Sequence, residues 1–364
     1  MSTPRFKRLI ECYVPIYACN FRCDYCYIKQ NPSRDFESRV EKFKYSPEYI
    51  AKCLSKKRLG GTCLINLCAG GETLLSEEVV ELAKYLLEDG HFVMIVNNGT
   101  CTKNIQKLCD FPDNLKERLW LRFSLHWLEL KRLNLIDRFF DNVKNCKNNG
   151  ISIGVEMVAS DDYIPFIPEI TKKCDDEIKS LPEINIARKD PEFTTLTNLS
   201  EEEYIKTWSV FNSKSFDLKL KTVGVKRKEF CYAGDWSVTL DLGNGNMSKC
   251  YSCFLQNIFK NPNSKIKFEA MGKKCPLPYC HNSHLWMAIG NIPTLEFPTL
   301  LEIRSKECSD GTHWLSKTYQ DFISQKVYEN NKQYSLFKRA VIKMSHLIKS
   351  LISKLKHLIR KVFK

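Results

Sequence analysis

The sequence predicts an α/β protein built on a parallel sheet, and three observations carry that expectation. Apolar runs of strand length recur through the first two hundred or so residues. Each is followed by a stretch with helical periodicity. Six such alternations fit parallel strands joined by crossover helices that cover the outside of the sheet.

The strands are expected at "LIECYVPIYA" (9–18), "TCLINLCA" (62–69), "HFVMIVNN" (91–98), "LWLRFSLHW" (119–127), "ISIGVEMVA" (151–159) and "EINIARK" (183–189). The helices fall at 46–58, 75–89, 102–109, 129–149, 162–174 and 200–213. Ser46 suits an N-cap and Pro47 the first helical position. The helix after Ser76 opens with acids and stops at Gly90. Periodicity does not separate an open doubly wound sheet from a partial barrel. In both, the loops at the C-terminal strand ends build the site. Glu11 and Glu156 fall on strands and are candidates for inward-facing carboxylates.

From about residue 225 the texture changes. Between Glu229 and Pro293 lie two short strand-like pieces, a "GNGN" turn, several prolines and five cysteines, with little helical periodicity. This reads as a small loop-rich module. The divisions expected are 1–215, 225–300, a helical connector at 301–331, and a basic helix at 332–364.

The 364 residues can bury a sizeable core; 43% are apolar and 27% charged. The N-terminus has no apolar h-region, and no run approaches the length of a spanning helix, so a cytoplasmic location is expected. Seventeen cysteines without a secretion signal favour metal or metal–sulfur ligation over disulfides. Cys53, Cys63, Cys68, Cys101, Cys109, Cys146 and Cys174 stand singly in apolar or helical patterns and are expected to act as small buried hydrophobes.

"CNFRCDYCY" places Cys19, Cys23 and Cys26 just after the first strand. Three thiolates are one short of a closed zinc site or cubane, so a cubane on them leaves one iron open. A zinc site completed by a distant histidine is the other use of such a triplet. The C-x3-C-x2-C spacing, with Tyr25 before the last cysteine, resembles the radical S-adenosylmethionine (SAM) superfamily. "LCAGGETLL" strengthens the resemblance: Gly70-Gly71-Glu72 is similar to the family's GGE segment, although Thr73 stands where Pro is usual. "VNNGT" with Asn98 and "FSLHW" with Ser124 resemble its ribose-contacting strand ends.

The resemblance covers roughly residues 8 to 215 and implies a partial (β/α)6 TIM-type barrel. It implies a [4Fe-4S] cluster on the three cysteines, with SAM on its open iron. Tyr25, Gly70, Gly71, Glu72, Asn98 and Ser124 are then the expected cofactor contacts, with the Glu72 carboxylate accepting from the methionine ammonium. It also implies a reductant such as flavodoxin or ferredoxin, and hydrogen abstraction from substrate.

Cys231, Gly245 and Cys250 stand in a C-x13-G-x4-C pattern, similar to the start of SPASM or twitch extensions. With Cys275 and Cys280 they would close an auxiliary [4Fe-4S] cluster, leaving Cys253 spare. A zinc knuckle using His281 or His284 is the alternative. The string around these cysteines resembles radical enzymes of bacterial surface-polysaccharide biosynthesis. That implies a small-molecule, glycan or lipid-linked substrate, ahead of a peptide or protein; a zinc-binding scaffold would be the non-enzymatic reading. No residue is assigned the hydrogen transfer, but Cys68, Cys253 and Cys308 are candidate thiol donors.

The last segment holds ten Lys or Arg and no acid from Lys332 to Lys364, which leaves only +4 of the net +14 for the rest. Phe337, Val341, Met344, Ile348, Leu351, Leu355, Leu358 and Val362 recur at alternating four- and three-residue steps. Such a helix is expected to dock on the inner face of a membrane. The same steps also suit a coiled coil. Nucleic acid is not the expected partner, because aromatics scarcely interleave the bases.

Overall fold

The computed structural model describes residues 3–30, 40, 42–190, 192–251, 253–273 and 275–362. Six strands, β1 (Arg8–Val14), β2 (Cys63–Ala69), β3 (Phe92–Asn97), β4 (Leu119–Ser124), β5 (Ser152–Ala159) and β6 (Glu183–Ile186), lie in sequence order, each parallel to the next. The parallel α/β sheet stands as the periodicity predicted, in the order of a partial (β/α)6 barrel.

Strand and helix starts follow local chemistry. Ser46 Oγ accepts the Tyr49 N–H at 3.2 Å and opens helix Pro47–Cys53. Ser76 caps helix Glu77–Glu88 in the same way. The long helix expected at 129–149 is instead two, Trp127–Arg132 and Ile136–Asn148, because Asn134 adopts a left-handed φ of 54° between them. Asparagine tolerates that region better than most side chains.

The last strand is shorter than "EINIARK". Arg188–Lys189 (β7) leaves the sheet and pairs antiparallel with Thr194–Thr195 (β8).

The cysteine-rich segment joins the barrel sheet. It contributes three strands, β9 (Ser237–Asp241), β10 (Asn246–Ser248) and β11 (Phe254–Asn257), and β9 pairs parallel to β1. The result is one nine-stranded sheet, β11-β10-β9-β1-β2-β3-β4-β5-β6. At the "GNGN" turn Gly245 has φ +77°, and a Cβ would lie 2.4 Å from the Phe259 ring, so both backbone and space call for glycine.

Alternation sends every second residue of each strand to one face of the sheet, and along the strands that face has two zones. The lower zone is apolar: Leu9, Leu64, Phe92, Met94 and Trp120 pack with Tyr319 and Phe322 from helix Lys317–Ile323. Phe322 stacks on Phe92 with centroids 3.8 Å apart, so the expected connector plugs the barrel floor. The upper zone is polar and lines a cavity: Glu11, Asn66, Arg122, Glu156 and Asn185. The outward faces of the strands pack under the crossover helices in a separate apolar core.

Of the seven single cysteines, Cys53, Cys63, Cys109, Cys146 and Cys174 are buried as expected. Cys68 and Cys101 are half-buried, and Cys68 reaches the cavity.

Candidate active site

A cavity of about 1060 Å³ opens at the C-terminal ends of the strands. Cys19, Cys23 and Cys26 line it, together with Tyr25, Gly70, Gly71 and Ser124. The loop carrying the three thiols is tied down at several points. Ile16 and Ala18 accept the backbone N–H groups of Gly71 and Glu72 at 2.8 and 2.9 Å. Arg22 N–H donates to Glu129 Oε2 at 2.6 Å, and Cys26 N–H to the Cys23 carbonyl at 3.2 Å. Asn20 bridges to the third strand end, donating to Thr100 Oγ1 at 2.9 Å and accepting from Asn98 Nδ2 at 2.7 Å.

The two glycines serve this close approach. A Cβ on Gly71 would fall 1.9 Å from the Ala18 carbonyl oxygen, and one on Gly70 would fall 2.4 Å from the Tyr13 hydroxyl. Their backbone thus sits directly beside the thiol loop and on the cavity wall.

Glu72 lies behind the cavity wall and is not among the residues that line it. Its carboxylate is 2% exposed and accepts Leu74 N–H at 2.9 Å and Asn98 N–H at 2.7 Å. Burial pushes its carboxyl up to about 7, partly offset by those two hydrogen bonds. The group ties the second strand end to the third. Asn98 is likewise 3% exposed, and its side chain is spent on Asn20 and Thr100. Both act on the backbone that frames the cavity, a use that a strand-end motif alone does not reveal.

Tyr25 is 8% exposed; its hydroxyl meets His126 Nδ1 at 2.6 Å and the Tyr163 hydroxyl at 2.8 Å. Burial keeps His126 neutral, with its pKa lowered to about 4. Sequence reasoning did not single out Asn20, His126, Glu129 or Tyr163 as organisers of the loop. Each lies far along the chain from its partner, and nothing in the local pattern marks it.

The thiols suit a metal–sulfur group. Burial first, and after it Glu72 (for Cys19) and the neighbouring cysteines, raise Cys19 to about 11 and Cys23 to about 12. Such thiols ionise readily only against a metal's charge. In the second set, Cys231, Cys250, Cys253, Cys275 and Cys280 gather around Ala233, Met271 and Trp286. Cys250 feels Cys231, Cys275 and Cys253, while Cys280 feels Cys231, Cys250 and Cys275. Burial raises both. Among the described residues no three ligating groups converge tightly enough for a single metal ion; a cubane takes one thiolate at each corner iron and needs no such convergence.

His284 is buried and lines the cavity near Lys219 and Arg304, whereas His281 packs against Phe193 with ring centroids 4.3 Å apart. Cys253, expected to be spare, sits in the same group as the other four. Cys308 is buried far along the chain, beside Lys147 at 3.5 Å, and is absent from the cavity lining.

Residues 13–181, which carry the thiol loop, Gly70-Gly71-Glu72 and strands β2 to β5, match the Radical SAM superfamily. The match takes in a little under half of the chain. Domains of this family use a [4Fe-4S] cluster and SAM, and the three cysteines at the cavity mouth fit the cluster's donor set.

Two Methanocaldococcus jannaschii proteins resemble parts of this chain, each named "Putative glycyl-radical enzyme activating enzyme". One, MJ1632, is 30% identical over 89 residues, 24% of this chain and 31% of its own length. The other, MJ1227, is 25% identical over 195 residues, 48% of this chain and 74% of its own length. The chain therefore spans about a third of the first relative and about three quarters of the second. Among solved structures, Streptococcus suis SuiB bound to S-adenosylmethionine gives a TM-score of 0.49 at 15% identity, over 70% of this chain and 64% of that one. The protein anSMEcpe with bound AdoMet gives 0.47 at 14% identity, over 70% and 76%.

Proposed function

We propose that this protein is a radical SAM enzyme acting on a substrate held in the barrel cavity. The observation that carries the reading is the meeting of Cys19, Cys23 and Cys26 with the Gly70–Gly71 backbone at the cavity mouth, within the segment that matches the Radical SAM superfamily. The three cysteines hold the cluster. Gly70 and Gly71 present backbone to SAM, Tyr25 and Ser124 line its chamber, and Glu72 and Asn98 hold that frame in place. When bound, the cluster and SAM supply a 5′-deoxyadenosyl radical for abstraction of hydrogen from an unactivated carbon. Electrons come from a reductant such as flavodoxin or ferredoxin.

Cys231, Cys250, Cys275 and Cys280 hold an auxiliary [4Fe-4S] cluster in a twitch-like module at 225–300. Fully ligated, it acts in electron transfer and as a staple, not in binding substrate.

The substrate proposed is a glycan or lipid-linked sugar, with the enzyme docked on a membrane surface. The terminal helix, Leu336–Val362, supports the docking. Phe337, Met344, Leu351 and Leu355 along its apolar stripe are more than half exposed, at 79%, 57%, 66% and 64%. Its first turns are rooted in the body by Ile342 and by Arg339, which donates to the Tyr334 carbonyl and the Tyr232 hydroxyl at 3.1 Å each. The side chains of Leu358 and Val362 lie outside the described residues. No described helix is long and apolar enough to cross a membrane. A protein substrate is the second reading, favoured by the names of the two relatives.

The test is anaerobic purification and reconstitution, with iron and sulfide counted and SAM reduced in the same sample. About eight irons with release of 5′-deoxyadenosine are expected. Bound zinc, no iron uptake and no cleavage would overturn the enzyme reading and leave a scaffold.

A further inference from the structure

The cavity has a second polar wall, built by segments whose sequence reads as connectors. Helix Lys214–Leu220 packs along β6, and helices Ser283–Trp286 and Leu300–Arg304 pack on that helix. They bring Lys219, His284 and Arg304 toward Arg122 and Glu156. Glu156 is already committed, accepting from Arg122 Nη2 at 2.6 Å, Asn185 Nδ2 at 2.7 Å and Arg304 Nη1 at 3.1 Å.

Two guanidinium groups therefore share one carboxylate, and Lys219 adds a further basic group on the cavity wall. Among the described residues, the Lys219 amine has no hydrogen-bond or ion-pair partner, and burial, with Arg304 nearby, lowers its pKa to about 7, so an anion beside it would favour its charged form. Arg304, 3% exposed, keeps Nε and Nη2 without acceptors, and His284, 5% exposed, keeps Nδ1 unpartnered. The nearby acids are spent: Asp190 pairs with Arg188 at 2.7 Å and Glu183 with Lys306 at 3.1 Å. Glu11 faces the same space, and burial raises its carboxyl to about 7, which limits the negative charge it offers. Buried polar groups left unpaired are costly, and several of them beside one cavity point to a missing acceptor.

We propose that this wall seats an anionic group of the substrate, a carboxylate or a phosphate, with Lys219 as the residue that meets it. An ammonium meets either anion as a compact charge, and exclusion of water strengthens the attraction. The cavity lies at the upper end of the usual range for ligand sites, which leaves room for a substrate beside SAM. The proposal rests on the radical SAM reading only for the identity of that neighbour.

The test is calorimetric titration of the reconstituted, unreduced holoprotein with sodium phosphate and, separately, with sodium acetate. Each titration is run with and without saturating SAM. One anion is expected to bind at one site per chain in the presence of SAM. Lys219→Met is expected to weaken it at least tenfold, and Lys219→Arg to retain it, with equal iron content in all three proteins. Tighter phosphate identifies a phosphate-bearing substrate, and tighter acetate a carboxylate. Binding that is absent, unchanged in Lys219→Met, or displaced by SAM overturns the proposal. Binding of SAM to the wild-type protein tests the radical SAM reading separately.

Discussion

The Ala18 carbonyl lies where a side chain on Gly71 would begin: a Cβ there would sit 1.9 Å from that oxygen. The same carbonyl accepts the Glu72 N–H at 2.9 Å. One contact thus couples the end of β2 to the start of the loop that carries Cys19. Gly71→Ala has to displace backbone on one side or the other, at a cost of about 1–3 kcal/mol or more. Its expected signature is local: reconstituted iron falls by about four per chain while far-ultraviolet circular dichroism stays near wild type. Full iron retention would show that the two segments are not coupled.

The two cysteine sets are predicted to load independently. Cys19→Ala should remove about four of about eight irons and abolish SAM cleavage. Cys250→Ala should remove the other four while SAM still binds. Cys253→Ser, a change at the fifth sulfur of that group, should keep both sets of iron. Loss of the second set on Cys253→Ser would make Cys253 a ligand and displace one of the other four.

Phe322 carries the stability of the barrel floor. It stacks on Phe92 at 3.8 Å and tilts against Phe6 at 4.7 Å, and all three rings are fully buried. Phe322→Ala should lower unfolding free energy by about 3–5 kcal/mol, read in urea denaturation of the holoprotein. A loss under about 1 kcal/mol would mean that the helix does not plug the barrel.

Stability should fall with rising pH through the contribution of Glu11. Burial raises its folded-state carboxyl from 4.5 to about 7, with the Asn66 amide pulling weakly the other way. Between these values the folded chain keeps a proton that the unfolded chain has lost. The contribution is therefore complete below 4.5 and is lost as pH rises through 7. It amounts to at most about 3 kcal/mol, reduced by the open cavity. Glu11→Gln should flatten the wild-type decline between pH 5 and pH 7.5 by that amount in denaturation curves. An unchanged slope would assign the decline to other groups.

The terminal helix should bind vesicles of phosphatidylglycerol and ignore those of phosphatidylcholine. Each basic residue near an anionic surface contributes about 1 kcal/mol, and salt should weaken the binding. The paired substitutions Leu351→Asp and Leu355→Asp, on exposed positions, should reduce co-sedimentation at least tenfold. Equal binding to both lipids, or none, would remove the membrane from the proposal.

The sequence by itself determined what short range can encode. Alternating apolar runs and helical stretches set the six parallel strands, Ser46 and Ser76 set helix starts, and an eight-residue window brought three cysteines to one loop. These follow from backbone periodicity and capping, which act over a few residues.

Only the tertiary structure decided the rest. Pairing of β9 with β1 joined the cysteine-rich segment to the barrel sheet, and Phe322 reached Phe92 across more than two hundred residues. Glu72 turned its carboxylate to the Asn98 N–H, and Lys219, His284 and Arg304 came together beside Arg122 from three separate helices. Such contacts depend on which apolar faces and buried polar groups satisfy one another once the chain closes. That matching is a property of the packed whole and leaves no periodic trace in any local stretch.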